Sequence, residues 1–269
     1  MGYSNQREQA GADKLVELLL IHNQEPLPPA GAAFFIHSMM PGPVEAVLRI
    51  IIALFITGSA ATAQEVTPKF DFDYVVTNSF WQQLYPAGGW TLLCGQKFDA
   101  ARRLPDGRAV AVDHIYPLAR MVRESGCRDR AQCRTRMGGK FAMMESDLHN
   151  LYPEAQELIA YRNGREFGIV DGEEWRFDDC DLEWRSGVLE PRPLARGNVA
   201  RAIFYMRASY RFAVSDAMLE LLKAWNREDP PSNQEQERNE AIEKLQGRRN
   251  PFIDYPARVE NLRNIKESR

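Results

Sequence analysis

The stretch VDHIYP, residues 112–117, places the acid Asp113 next to His114 inside an apolar run. A histidine can take a proton from water near neutral pH, and a carboxylate can bind a hard cation such as Mg²⁺. A second oxygen donor, the amide of Asn150, follows in the stretch DLHNLYP, and several arginines lie between the two stretches. A base, oxygen ligands for a divalent cation and a cationic side chain are the groups that phosphodiester hydrolysis needs.

Each of these residues also has an ordinary structural interpretation. A single histidine is more often a hydrogen-bonded structural residue than a catalyst, and His149 and Asn150 could be helix-cap residues. Neighbouring side chains on an extended backbone point to opposite faces, so Asp113 and His114 can share a site only if the strand ends or bends there. The local sequence therefore leaves catalytic and structural roles open.

The elements around these residues follow from periodicity and turn signals. Residues 72–85 predict a helix, and 91–98, after the turn-rich PAGGW, predict a strand. Residues 109–116 combine β-branched and aromatic side chains and predict a strand, so that His114 lies at or just past its end. Residues 123–140 predict a polar loop with a local excess of four positive charges.

The rest of the chain is expected to be mostly helical. Polar capping residues predict that a helix begins near Ser146 or Asp147, which would place Asn150 on it. Residues 171–196 predict loops. Apolar residues then recur at helical spacing in three segments, and the caps that bound the last of them, a capping box and a terminal glycine, are typical of helix ends. The three predicted helices cover residues 197–212, 215–229 and 232–247.

The first 64 residues differ from the rest and contain the parts of a secretory signal peptide. Arg49 supplies a positive charge, Ile50 to Thr57 an apolar run, and Ala61-Thr62-Ala63 a cleavage site. The run is too short for a membrane span, which needs about 20 apolar residues. We expect a non-mature segment, 1–63, with the signal peptide at about 47–63, and a mature single domain, 64–269. A buried core strand is the alternative interpretation of the apolar run.

The net charge and the cysteine count limit the classes of function that the sequence allows. The chain has a net charge of −3, and removal of residues 1–64, which hold three basic and five acidic residues, leaves −1. No global basic field indicates a nucleic-acid partner, so such a partner would need a local basic patch. The four cysteines (Cys94, Cys127, Cys133 and Cys180) predict two disulfides in an exported chain and allow three connectivities. Zinc binding is the alternative, although the closest pair is Cys127-x5-Cys133.

Five motifs in order resemble the endonuclease I family, which comprises periplasmic or secreted bacterial nucleases of the ββα-metal (His-Me finger) type. The resemblance runs from about Thr91 to Pro256, and the motifs read AVDHIYPLARM, R-x-x-C, MESDLHNLYP, RGNVARAIFYMRASY and ERNEAIEKLQGRRNPFIDYP. The resemblance implies an α+β fold in which a ββα-metal core is embedded in a mostly helical single domain. It implies an endonuclease that hydrolyses DNA, with RNA left open, and that works as a periplasmic or secreted monomer without membrane attachment.

The resemblance also assigns roles residue by residue. His114 resembles the general base, and Asp113 and Asn150 resemble the ligands of one Mg²⁺, or of Ca²⁺ or Mn²⁺ in its place. Arg130, the arginine of R-x-x-C, resembles the residue that contacts the cleaved phosphate, and His149 resembles a supporting residue. The disulfide pairing it implies is Cys94–Cys180 and Cys127–Cys133.

Two departures from the family pattern bear on these roles. Asp113 stands where relatives commonly carry Glu, so its side chain is one CH₂ shorter. The Cys127–Cys133 loop is shorter than in relatives, which makes Arg128 the fallback for Arg130. Two other functions remain as alternatives: a catalytically impaired, disulfide-stapled nucleic-acid-binding module of the same fold, and a zinc hydrolase.

Overall fold

The computed structural model describes residues 70–172, 174–177 and 179–263, apart from the side chain of Arg176. The predicted signal peptide and its cleavage site lie outside the described residues. Helix α1 begins as an α-turn, Phe72–Tyr74, and continues as a π-helix, Val75–Leu84. The carboxylate of Asp71 accepts the amide of Tyr74 and caps this start, so the predicted helix over 72–85 is confirmed.

The predicted strand over 91–98 is wrong for most of its length. The chain forms two short antiparallel strands instead, β1 (Gly89–Trp90) and β2 (Lys97–Phe98), with a turn between them. Gly95 adopts a left-handed φ of 65° in that turn, which a strand cannot accommodate. The neighbouring Cys94 is fixed by its disulfide to Cys180.

The strand that carries His114 is confirmed. Strand β3 (Val110–His114) pairs antiparallel with β4 (Leu151–Ala155), in a register that places His114 opposite Leu151. Strand β4 occupies residues that the sequence assigned to a helix starting near Ser146, and this prediction is wrong. Pro153 disfavours a helix there, and pairing with β3 buries all five residues of β4.

The predicted loop over 123–140 is also wrong, because much of it is helical. Three short helices connect β3 to β4: α2 (Leu118–Glu124), α3 (Arg130–Met137) and α4 (Gly139–Glu145). Asp129 caps α3 by accepting the amide of Gln132, and arginine is a good helix former. The arginines therefore lie on a defined helix surface.

A helix and a small sheet follow β4. Helix α5 (Gln156–Arg162) leads to strands β5 (Glu166–Phe167), β6 (Trp175–Phe177), β7 (Cys180–Arg185) and β8 (Val188–Pro191). These pair in the order β5-β8-β7-β6, so the loop-rich prediction for 171–196 is only partly right. The strands are three to six residues long in that range, too short for periodicity to identify them.

Three of the C-terminal helices match the prediction: α6 (Pro193–Tyr210), α7 (Asp216–Glu228) and α8 (Asn233–Gln246). A short helix, α9 (Pro251–Asp254), and a 3₁₀ helix (Pro256–Asn261) follow and were not predicted. Helix α6 supplies much of the core, with Val199, Phe204 and Met206 fully buried. Mixed helices and small sheets give the α+β class, and none of the helices among the described residues could cross a membrane.

Two disulfides tie these elements together. They join Cys94 to Cys180 and Cys127 to Cys133, which is the pairing that the resemblance implies. The first connects the β1–β2 turn to β7, across 86 residues of sequence. The second connects the end of α2 to α3. Because all four sulfurs are in disulfides, none is available as a zinc thiolate.

Candidate active site

His114 is the last residue of β3, and its ring is buried. The ring nitrogen Nε2 lies 2.8 Å from the backbone oxygen of Glu145, at the end of α4. A carbonyl oxygen only accepts hydrogen bonds, so Nε2 carries the proton and Nδ1 keeps a lone pair. Among the described residues Nδ1 has no hydrogen-bond partner, and Phe72 stacks on the ring with 5.5 Å between ring centroids. The geometry therefore presents Nδ1 as a proton acceptor.

The surroundings of His114 favour its neutral form. Burial is the largest cause and lowers the pKa of this imidazole below its usual value. The Glu145 carbonyl and the Asp113 carboxylate raise the pKa by less than burial lowers it, and the positive charge of Arg130 adds a smaller lowering. A neutral imidazole is the form that can accept a proton, so His114 suits the work of a general base.

Glu145 connects the helix arginines to His114. Its buried carboxylate accepts from Nε of Arg130 at 2.7 Å and from Nε of Arg134 at 2.6 Å, while its backbone oxygen holds His114. Arg130 lies over the Phe72 ring at 4.6 Å, and its buried Nη2 has no partner among the described residues. Arg130 thus brings a positive charge and an unused N–H to the His114 region.

Arg128, the fallback for Arg130, lies on the surface. Its side chain is 81% exposed and pairs with the adjacent Asp129 at 2.9 Å. Arg130, in contrast, is fixed by Glu145 and Phe72 on the side of α3 that faces His114. Helix α3, which the sequence did not predict, therefore turns Arg130 toward the site and leaves Arg128, which precedes it, at the surface.

Asp113 points away from His114, as alternation along the strand requires. Arg162 at the end of α5 donates Nε and Nη2 to its carboxylate at 2.9 and 2.7 Å, and Nη2 also donates to the backbone oxygen of His114 at 2.6 Å. Asp113 and Arg162 are both almost fully buried. Arg162 therefore sets the orientation of the Asp113 side chain and of the strand end that carries the base.

Asn150 lies just before β4, at the same end of the β3–β4 pair as His114. Its Oδ1 accepts the Tyr116 amide at 2.6 Å, its Nδ2 donates to the Tyr116 carbonyl at 3.0 Å, and its own carbonyl accepts from Ile115. The residue lies in a turn after Asp147, and not on a helix as the sequence predicted. Its backbone lies across from Ile115, two residues along the chain from Asp113.

The donors at Asp113 and Asn150 suit a hard cation in type and in number. Arg162 uses two of about four lone pairs of the carboxylate, and Tyr116 uses one of two on the amide oxygen. Mg²⁺ usually keeps several waters, so one or two protein oxygens suffice. Over the described ranges no group of three or more His, Cys, Asp or Glu side chains could hold a metal.

His149 has a structural environment. Its Nε2 lies 3.0 Å from the Arg248 carbonyl, and its ring packs on Tyr205 with 4.4 Å between centroids. Burial lowers the pKa of His149 to about 4, so it is neutral near pH 7. The neighbouring Asp147 is a buried hub that accepts from Tyr205, Tyr210 and Gln246 and anchors the turn before Asn150.

Four contacts of this site were not predicted from the sequence, and they involve Phe72, Arg134, Glu145 and Arg162. Glu145 lies inside the motif MESDLHNL, which also contains Asn150, so the motif was a signal from which a role for Glu145 in the site could have been predicted. Arg134 belongs to the basic segment that was taken for a loop. Phe72 and Arg162 carry no local signal, because each reaches the site from a distant helix.

Comparisons with known proteins show the family to which the chain belongs. The family described as Endonuclease I matches residues 61–257. An extracellular deoxyribonuclease of Aeromonas hydrophila is 37% identical over 43% of this chain and 52% of its own length, so the match spans about half of that relative. A periplasmic deoxyribonuclease of the same species is 29% identical over 64% of this chain and 81% of its own.

A more distant relative carries a different name. An extracellular ribonuclease of Bacillus subtilis (strain 168) is 30% identical over 41% of this chain and 44% of its own length. The family match extends over most of the chain and includes every residue of the His114 site described above. The chain therefore belongs to the endonuclease I family and is an endonuclease.

Proposed function

We propose that this endonuclease is metal-dependent, cuts DNA with little sequence preference, and leaves 5′-phosphate ends. The observation that carries the proposal is the neutral, buried His114 with a free Nδ1 next to the fixed guanidinium of Arg130. A base beside a cationic donor is the arrangement that hydrolysis of a phosphate diester requires. Contacts made mainly to phosphates carry no direct sequence information.

In the proposed reaction, Nδ1 of His114 takes a proton from water, and the resulting hydroxide attacks phosphorus in line. The partly exposed guanidinium of Arg130 donates to a phosphate oxygen as negative charge develops. Asp113 and Asn150 would hold a divalent cation, Mg²⁺ or Ca²⁺ or Mn²⁺, and that cation would supply stabilisation of the negative charge that develops in the reaction. Arg162 keeps the Asp113 carboxylate oriented.

We infer that strands β3 and β4 with helix α5 correspond to the ββα-metal core. The two antiparallel strands carry or flank His114, Asp113 and Asn150, and α5 follows β4 directly and returns Arg162 to Asp113. This order of strand, strand and helix supports the proposal. The C-terminal helices would then form the scaffold around that core.

The substrate and location follow from the relatives. Deoxyribonucleases among them favour DNA, and the Bacillus ribonuclease keeps RNA open as a second substrate. Relatives named extracellular or periplasmic, together with two disulfides, support an exported protein that acts in the periplasm or outside the cell. We propose that it acts as a monomer without membrane attachment.

The test is cleavage of supercoiled plasmid with Mg²⁺, with EDTA, and with variants. We expect His114→Ala and Asn150→Ala to lose most of the activity and EDTA to abolish it, while Arg128→Gln, which removes an exposed arginine from the same segment, cuts normally. Ligation of the products with and without phosphatase treatment reports 5′-phosphate ends. Wild-type cleavage by His114→Ala would overturn the assignment of the base.

A second candidate function is a nucleic-acid-binding module of the same fold with impaired catalysis. The buried Asp113–Arg162 ion pair favours it, because a cation next to Asp113 also meets the positive charge of Arg162. A DNA gel shift without cleavage in Mg²⁺, Mn²⁺ or Ca²⁺ would select this function. The zinc-hydrolase alternative has no support within the described residues, where no three-ligand cluster occurs.

A further inference from the structure

A cavity of about 450 Å³ lies at the C-terminal end of α1. Its walls come from the end of α1, the β1 strand, and the starts of α6 and α8. None of its lining residues belongs to the His114 site, since neither His114, Glu145, Arg130 nor Asp113 borders it. Its volume falls in the range of small-molecule sites, about 300–1,000 Å³.

Two guanidinium groups border the cavity without a carboxylate partner. Within the described residues, neither Arg192 nor Arg238 has an ion pair. Arg192 is half-buried and makes one hydrogen bond, to the Leu92 carbonyl at 3.2 Å, which leaves its two Nη groups free. Desolvation is the largest cause and lowers the pKa of Arg192, while the charges of Asp229, Glu154 and Asp181 raise it by less. Its free N–H groups suit an anionic ligand.

Arg238 adds a fixed positive charge under the cavity. It donates to Tyr85 and to the carbonyls of Leu148 and Leu151, lies 4.1 Å over the Tyr152 ring, and has a buried Nη1 with no partner. Burial of a guanidinium with an unsatisfied N–H lowers the stability of the folded state unless another group compensates its charge.

Carboxylates at the cavity do not cancel this charge. Glu235 is committed to the buried Arg201, at 2.5 Å, and Glu237 is an exposed residue of α8. Within the described residues the cavity is therefore bordered by two guanidiniums without an ion pair, and the charge of Glu235 offsets part of that of Arg238.

An aromatic surface stands beside the cations. Trp90 on β1 lines the cavity and is 55% exposed, although tryptophan normally buries its large apolar surface. An exposed indole is a platform on which a nucleobase can stack, and stacking on aromatic side chains recurs where proteins bind single strands. A base on the indole and a phosphate at a guanidinium together make up one nucleotide.

We propose that this cavity binds a nucleotide unit of single-stranded nucleic acid, with the base stacked on Trp90 and the phosphate held by Arg192. It is a second site, apart from the one that cuts. Such a site would retain unpaired ends or a displaced strand while His114 acts on another phosphate. Its binding does not depend on the catalytic roles proposed above.

The test measures binding of fluorescein-labelled oligo(dT) five nucleotides long to the full chain in EDTA. An abasic oligomer of the same length serves as the second probe. Trp90→Ala should weaken oligo(dT) binding about tenfold, since one stacked base contributes about 1–3 kcal/mol, and should leave the abasic oligomer unaffected. Arg192→Gln should weaken the binding of both probes. It should also reduce the slope of the logarithm of the binding constant against the logarithm of the salt concentration by roughly 0.7, which corresponds to one phosphate contact.

The matched controls are Trp175→Ala and Arg185→Gln. Trp175 is 48% exposed on β6, Arg185 is exposed on β7, and neither borders the cavity. Both controls should bind as wild type does, and so should His114→Ala, which separates this proposal from the catalytic one. Equal binding of oligo(dT) by wild type and Trp90→Ala would overturn the proposal. An equal loss for both probes in Trp90→Ala, or an equal loss in Trp175→Ala, would also overturn it.

Discussion

Glu145→Gln is the most informative change at the His114 site. The substitution keeps the size of the side chain and the backbone carbonyl that holds His114, but it removes the charge that fixes Arg130 and Arg134. Only one oxygen of the new amide can accept, and its NH₂ group then faces the other guanidinium, donor against donor. We expect Arg130 to leave the position from which it would reach the phosphate.

The size of the effect follows from the burial of the three side chains. A hydrogen bond to a charged group contributes about 1.5–3 kcal/mol, whereas an exposed ion pair contributes only about 0.2–1 kcal/mol. The Glu145 side chain is 2% exposed, but those of Arg130 and Arg134 are 37% and 41% exposed, so both guanidiniums can rehydrate when released. We therefore expect the free energy of unfolding to fall by about 1–2 kcal/mol.

The expected loss of activity is larger than this loss of stability suggests. Removing one donor that stabilises transition-state charge costs about 10²–10³ in rate, and Glu145→Gln displaces such a donor without deleting it, so we expect roughly tenfold to a hundredfold. Urea unfolding followed by tryptophan fluorescence measures the first quantity, and single-turnover plasmid cleavage in Mg²⁺ measures the second.

The control for Glu145→Gln is Arg128→Gln, which removes an exposed charge from the same segment and should change neither quantity. If Glu145→Gln cleaves at the wild-type rate while Arg130→Ala does not, Glu145 does not position Arg130, and the reasoning fails.

Three further predictions concern stability. Arg162→Met leaves the buried carboxylate of Asp113 without its partner and should cost about 3–5 kcal/mol in urea unfolding, and an unchanged midpoint would contradict the ion-pair argument. Burial raises the pKa of Glu154 from 4.5 to about 7, so the folded state holds this proton more tightly. The resulting stabilisation, about 3 kcal/mol in the free energy of unfolding, is present below pH 4.5 and is lost as the pH rises to 7. The free energy of unfolding of wild type should therefore fall by this amount across that range relative to that of Glu154→Gln. By loop entropy, replacing the cysteines of Cys94–Cys180, separated by 86 residues, should cost about 4–5 kcal/mol, against about 2 kcal/mol for Cys127–Cys133, separated by six. Equal losses in thermal unfolding would refute the entropic account.

Local sequence predicted those elements whose patterns are long and whose ends carry caps. The helices over 197–247 are confirmed because their apolar stripes extend over several turns and Ser215 and Ser232 cap their starts. The strand over 109–116 is confirmed because its β-branched run is short and bounded. Predictions failed where a partner outside the segment determines its secondary structure. At β4, pairing with β3 makes a strand of a segment whose capping residues predicted a helix.

The candidate site shows the same division. The sequence predicted that His114 ends a strand, and its motifs placed Arg130 and Asn150 in the right order along the chain. The roles proposed for these residues remain predictions. The sequence did not identify what holds them: Glu145 for Arg130, and Arg162 for Asp113.

The sequence by itself determined the family, the α+β class, the helical C-terminal third and the residue types that could do the chemistry. These depend on local periodicity, capping and ordered motifs, which are properties of neighbouring residues along the chain. Only the tertiary structure decided that Asp113 faces Arg162, that the Glu145 carbonyl sets the tautomer of His114, and that the arginine-rich segment contains a helix with Arg130 and Arg134 turned toward Glu145. Burial and charge pairing between distant segments set these features, and no local pattern encodes them.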